Sequence, residues 1–210
     1  MTRSIDRWSA PVSGLAFTLL LFLRLAVVDP IRGVDDDALR AWWGNGDNLA
    51  NLATSMVLRL ASMPFLVVFL AQLRHRLRRS EPSVWPDVVA HAGVVAASML
   101  GLSAMTRGVV TQGMYAGDPL PGADVLRVVT SLSYEAYAIA VIGTLAFVLV
   151  VAGLRIHVTA ALPRWLGWLG IAVGVGSLAA VALRMGAWAS PFVLVWFVAA
   201  SAAMAGRARG

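Results

Sequence analysis

Six apolar stretches separated by short polar loops constrain this chain more than any other feature. They run over about 12–28, 48–73, 84–111, 124–154, 166–187 and 191–205. A helix rises about 1.5 Å per residue, and the hydrocarbon core of a bilayer is about 30 Å thick, so a crossing takes about 20 residues. Each stretch is near or above that length except the last, which is short. Inside lipid every backbone N–H and C=O must be bonded within the protein, which leaves helices as the solution for segments of this length. The expected fold class is therefore all-α, an integral membrane bundle of about six transmembrane helices, with residues 1–210 as a single domain. At 59% hydrophobic and 13% charged residues the composition fits no soluble globular protein.

Charge sorts the loops into two kinds. All 17 basic residues are arginines, against 11 acids. Arg74, Arg76, Arg78 and Arg79 follow the second stretch, Arg155 and Arg164 flank the loop after the fourth, and Arg207 and Arg209 end the sequence. The loop after the first stretch instead carries Asp29, Asp35, Asp36, Asp37 and Asp47, and the turn after the third has Asp118 and Asp124. Basic loops face the cytoplasm in membrane proteins, so both termini are expected inside, in a multi-pass protein of the cell membrane, specifically a bacterial inner membrane. The arginine excess is explained by that rule, and no nucleic-acid partner is expected. Arg3 and Arg7 before an apolar run resemble a signal peptide. Arg24 interrupts the run and no small-x-small cleavage site follows before Asp29-Pro30, so it reads as a retained first span. In the acidic loop, Val34 to Trp43 is expected to form a short amphipathic helix, with Leu39, Trp42 and Trp43 resting on the membrane interface as an aromatic anchor. Gly44-Asn45-Gly46-Asp47 reads as a turn.

Arg59 lies about eleven residues into the second stretch, which puts a permanent cation roughly 16 Å along the span and near the midplane. Such a charge costs at least a few kcal/mol unless it faces a partner or water within the protein. Glu135 lies at a similar depth in the fourth stretch. Polar residues recur at helical spacing around both. Asn48, Asn51, Ser55, Arg59 and Ser62 share one face of the second span. Arg127, Ser131, Tyr134 and Glu135 form a stripe on the fourth, and Ser103, Arg107, Thr111 and Tyr115 one on the third. Ser177 and Arg184 are seven apart on the fifth, and Arg24 is a turn from the end of the first. Because polar faces in lipid are costly, the stripes are expected to converge on a cavity open toward the outside, with Asp29 and Asp47 at its mouth. The candidate catalytic residues are Glu135, Tyr134 and Asp29. The candidate substrate-binding residues are Arg24, Arg59, Arg107, Arg127, Arg184, Asn51, Ser55 and Ser131. The alternative for Arg59 and Glu135 is a structural ion pair. Arg24, Arg127 and Arg184 alternatively snorkel to the interface.

No cofactor or metal is expected. The chain has no cysteine, no metal-ligand spacing is present, and His91 is the one histidine within a span where a membrane haem usually takes two. Gly167, Gly170, Gly174 and Gly176 in the fifth span, with Gly143 and Gly153 in the fourth, read as positions of close helix packing.

The segment Leu162-Pro163-Arg164-Trp165-Leu166-Gly167-Trp168-Leu169-Gly170 resembles a recurring feature of small multi-pass actinobacterial membrane proteins, the DUF4386-like families among them. That resemblance implies a six-helix membrane protein and carries no assigned catalytic residue. A looser similarity is to small integral-membrane terpene cyclases, which use a membrane acid to protonate an isoprenoid. Three functions follow from the residues. The first is an enzyme on a lipophilic, isoprenoid-like small molecule, a cyclase or isomerase with Glu135 as acid or base. The second is a binder or transporter of an anionic amphiphile such as a polyprenyl phosphate, because guanidinium groups bind phosphate oxygens in pairs. The third is an accessory membrane subunit whose stripes pack against a partner. In every case the bilayer lipid is a partner.

Overall fold

The structure is a computed structural model that describes residues 2–27, 33–80 and 82–206. It is an all-α bundle with six helices long and apolar enough to span a membrane. The α-helices in chain order are α1 (Thr2–Leu25), α2 (Asp36–Trp43), α3 (Gly46–Ser80), α4 (Trp85–Tyr115), α5 (Ala123–Glu135), α6 (Ile142–Thr159), α7 (Arg164–Ala182) and α8 (Ser190–Gly206); α2 is too short to span, and α5 and α6 belong to one span. A π-helical turn, Ala136–Val141, joins α5 to α6 into one continuous span, and a 3₁₀ turn, Gly186–Ala189, leads into α8.

The helix starts follow from their caps. Asp35 accepts the Ala38 N–H at 2.7 Å and starts α2. Asn45 accepts the N–H groups of Asp47 and Asn48 and starts α3, so the expected turn shrinks to Gly44 and Asn45. Small residues set the packing. Along the antiparallel α3–α4 pair, Met56, Met63 and Leu70 lie against Gly108, Gly101 and Gly93, each close enough that a Cβ on the glycine would meet them at 3.0 Å or less. This seven-residue repeat of side chains into glycine notches fixes the register of the two helices. The α6–α7 pair is closer still. A Cβ on Gly153 would lie 2.6 Å from the Gly167 carbonyl, one on Gly167 2.7 Å from that of Gly153, and Gly170 and Gly174 meet α6 backbone in the same way. Gly143 and Gly176 face open space and take no part.

The core is in two parts. The main one is built from α1, α3, α4, α6 and α8 and holds Phe17, Phe69, Trp196 and Phe197. The second holds Leu39, Trp43, Leu49, Leu52, Val110 and Leu126. Leu39 and Trp43 are therefore not resting on the membrane interface as the amphipathic pattern suggested. Leu39 and Trp43 are buried against α3, α4 and α5, so α2 is a cap on the acidic end of the bundle. At the other end the Asp87 carboxylate takes ion pairs from both Arg74 and Arg78, tying α3 to α4.

Candidate functional site

The site begins with Arg59, which is 2% exposed in the middle of α3. Its Nη1 donates to Ser103 Oγ at 2.7 Å, and more distantly to the Ser103 carbonyl and Ser133 Oγ, both at 3.4 Å. Ser103 on α4 and Ser133 on α5 are themselves reciprocally bonded. Ser103 Oγ donates to the Ser133 carbonyl at 2.8 Å, and Ser133 Oγ donates to the Ser103 carbonyl at 2.7 Å. Both hydroxyl hydrogens are thus spent on backbone, which turns both oxygens into acceptors for the guanidinium. Only small side chains allow two helices to approach closely enough for this exchange.

A second shell of cations surrounds the pair. The guanidinium carbons of Arg59 and Arg24 each lie 5.3 Å from the centre of the Tyr137 ring, within cation–π range, so the two charges are at most about 11 Å apart. Tyr137 is buried in the π turn, and its hydroxyl donates to Ser190 Oγ at 3.0 Å, at the start of α8. Arg107 is 5% exposed, one turn beyond Ser103 on the buried face of α4. Arg24, Arg59 and Arg107 are therefore each more than nine-tenths buried, and Tyr137 links the first two.

Other sequence-expected residues are placed as follows. Ser55 is buried one turn before Arg59, and Asn51, Tyr134 and Glu135 are half-buried. Ser131 is exposed. Arg127 is exposed and binds Asp36 and the Val34 carbonyl, latching α2 to α5. The Asp29 position lies outside the described residues. Arg184 is not on a helix with Ser177: α7 ends at Ala182, and Arg184 follows in the left-handed conformation at φ 59°, exposed in the turn.

The inward face of α5 is thus Leu126, Thr130 and Ser133, continuing to Tyr137, one position round from the stripe that begins at Arg127. Ser133 is absent from the expected site, and Tyr137, which like Tyr134 could assist Glu135, lies off the expected stripe. The spacing 130, 133 and 137 is the signal for this face. A stripe drawn from Arg127 hides it, because the partner of Arg127 is on the loop helix.

Two features of the surroundings frame the site. First, Leu49 and Leu52 on α3, Val110 on α4 and Leu126 on α5 lie between the arginines and the acidic end, under Leu39 and Trp43 of α2. Among the described residues these side chains form an apolar layer beneath α2. Second, the site lies level with one end of the α7–α8 hairpin. The α7 helix has 19 residues and α8 has 17, so the hairpin is about 26–29 Å long and just fills a hydrocarbon layer. Its turn is fixed beside the π turn, because a Cβ on Gly186 would lie 2.1 Å from the Ala138 carbonyl. Tyr137, with Arg24 and Arg59 beside its ring, therefore lies near the turn of that hairpin. The 35-residue α3 runs on past that level. From Arg59 to the basic group at Arg74–Arg79 is about 22–30 Å, which matches the layer.

No family model, curated protein or solved structure matches the chain.

Proposed function

We propose that the arginine shell binds the anionic head group of a membrane amphiphile, a phosphate-bearing lipid such as a polyprenyl phosphate. The observation that carries this reading is the burial of Arg24, Arg59 and Arg107 together. Glu135 is the one acid in the sequence that lies deep within a span; the others sit in loops or near helix starts. Keeping a charge out of water costs several kcal/mol, and a bound anion offsets that cost. The apolar layer beneath α2 favours a ligand that enters sideways from the bilayer over a free ion from water. On the positive-inside rule the basic end faces the cytoplasm, which puts the site in the outer leaflet of a cell membrane.

The same residues support a second reading, an enzyme on a lipophilic substrate with Glu135 as acid or base beside Tyr134 and with Asp29. Its specific support is the π turn that starts at Ala136, immediately after Glu135, since such turns recur at functional sites.

Native mass spectrometry of the purified protein, with lipid identification, tests the first reading. Wild type is expected to retain an anionic lipid that Arg59→Ala, Glu135→Ala loses. No specific lipid in either form refutes it and favours an accessory subunit. Turnover of a retained isoprenoid that Glu135→Gln abolishes without loss of binding establishes the enzyme.

A further inference from the structure

One buried aromatic ring serves two of the shell's charges. Arg24 comes from the last turn of α1 and Arg59 from the middle of α3, and the guanidinium carbon of each lies 5.3 Å from the centre of the Tyr137 ring. The ring is 3% exposed, so water hardly screens these contacts. A cation over a desolvated aromatic face is held more strongly than one over a face in water. A carboxylate in the same place would also attract both arginines, but it would cancel a charge in doing so. The π face attracts a guanidinium through its quadrupole and has no net charge, so this contact leaves the charge of both cations undiminished.

The ring is itself fixed at both ends. Its backbone lies in the π turn Ala136–Val141. A Cβ on Gly186 would lie 2.1 Å from the Ala138 carbonyl, so the turn that leads into α8 seats directly on it. At the far end the phenol hydroxyl donates to Ser190 Oγ at 3.0 Å. Ser190 Oγ donates its own hydrogen to the Ala187 carbonyl at 2.7 Å, which leaves its oxygen as the acceptor for the phenol. The ring cannot swing aside without breaking a buried hydrogen bond. One side chain thus ties together the first, second, fourth and sixth spans at the level of the shell.

We propose that Tyr137 is the positioning residue of the arginine shell. Its ring holds Arg24 and Arg59 in place without neutralising either, so an anionic head group meets both without first ordering them. Ordering a long side chain in advance removes an entropic cost from binding, and the saving shows as affinity. This inference rests on the head-group reading of the shell.

The test is equilibrium binding of farnesyl phosphate to the full-length protein in neutral detergent, with inorganic phosphate as the probe that lacks a chain and a thermal melt on every variant. Arg59→Ala is expected to lose binding. Tyr137→Phe keeps both π faces and loses only the bond to Ser190, and is expected to bind within about three-fold of wild type. Tyr137→Leu keeps an apolar side chain without a π face, and is expected to bind about thirty-fold more weakly, the size of one desolvated cation–π contact. A merely structural tyrosine would lower the melting temperature of Tyr137→Leu and leave its affinity equal to that of Tyr137→Phe; that result, with binding lost in Arg59→Ala, overturns the proposal alone. Binding kept in Arg59→Ala overturns the head-group reading and the proposal with it. If Tyr137→Leu does not fold, ultraviolet resonance Raman spectra decide. Subtracting the Tyr137→Phe spectrum from that of wild type isolates the Tyr137 bands, which are expected to shift when farnesyl phosphate is added, and no shift overturns the proposal. Inorganic phosphate that binds as tightly as farnesyl phosphate, with the same order of variants, supports the role of Tyr137 and makes free phosphate the ligand in place of the lipid.

Discussion

The contact between Arg59 and Ser103 holds three helices at one point, and its energy is measurable. Ser103 Oγ accepts from Arg59 at 2.7 Å and donates to the Ser133 carbonyl at 2.8 Å. A hydrogen bond to a charged group contributes about 1.5–3 kcal/mol, and a neutral one about 1. Ser103→Ala removes both, for an expected loss of about 3 kcal/mol. Neutral side-chain bonds measured within membranes average about 0.6 kcal/mol, so most of the loss is expected from the Arg59 bond. A double-mutant cycle with Arg59→Met isolates that part, with an expected coupling of about 2 kcal/mol. Reversible unfolding in mixed micelles, followed by circular dichroism, provides the four stabilities. Ser98→Ala is the control, because Ser98 is exposed and bonds only its own helix at the Val94 carbonyl; it is expected to change stability by less than about 0.5 kcal/mol. A coupling below about 0.5 kcal/mol, or a Ser103→Ala loss no larger than that of Ser98→Ala, refutes the view that the serine pair and Arg59 form one energetic unit.

Gly186→Ala places a methyl 2.1 Å from the Ala138 carbonyl, on backbone that cannot rotate away, and is expected to lower stability by about 3 kcal/mol, whereas Gly143→Ala, with open space around it, gains up to about 1 kcal/mol; thermal melts of the two variants decide this. The chain has no cysteine, so single substitutions label cleanly. In sealed vesicles a membrane-impermeant maleimide is expected to reach Trp188→Cys from one side and His75→Cys only from the other, with Ala172→Cys unreactive from both; reaction of positions 75 and 188 from the same side refutes the arrangement of the spans.

The α-helical membrane architecture and its number of spans were legible in the sequence because both follow from local quantities. Hydrophobic run length sets whether a segment crosses, and backbone satisfaction in lipid makes it a helix. The burial of Arg59, Arg107 and Arg24 was legible for a related reason, that an arginine inside an apolar stretch must turn inward. The close-packing role of Gly153, Gly167, Gly170 and Gly174 was readable too. Gly143 and Gly176 look the same in sequence and pack against nothing, since whether a glycine meets a neighbour depends on rotation about the helix axis.

That rotation is what tertiary structure decided. The fourth span carries polar residues on two adjoining faces, and nothing local says which one turns inward. The distant Asp36 on α2 draws Arg127 outward, and Ser103 and Tyr137's partner Ser190 hold the other face in. The π turn, the burial of Leu39 and Trp43 against α3, α4 and α5, and the level at which the short α7–α8 hairpin ends are likewise set by contacts between segments far apart in the chain. Sequence determines that these charges must be buried and which helices carry them. Only the packed bundle determines which groups they meet, because a one-residue rotation of a helix moves a side chain by about 100° at almost no cost to its hydropathy.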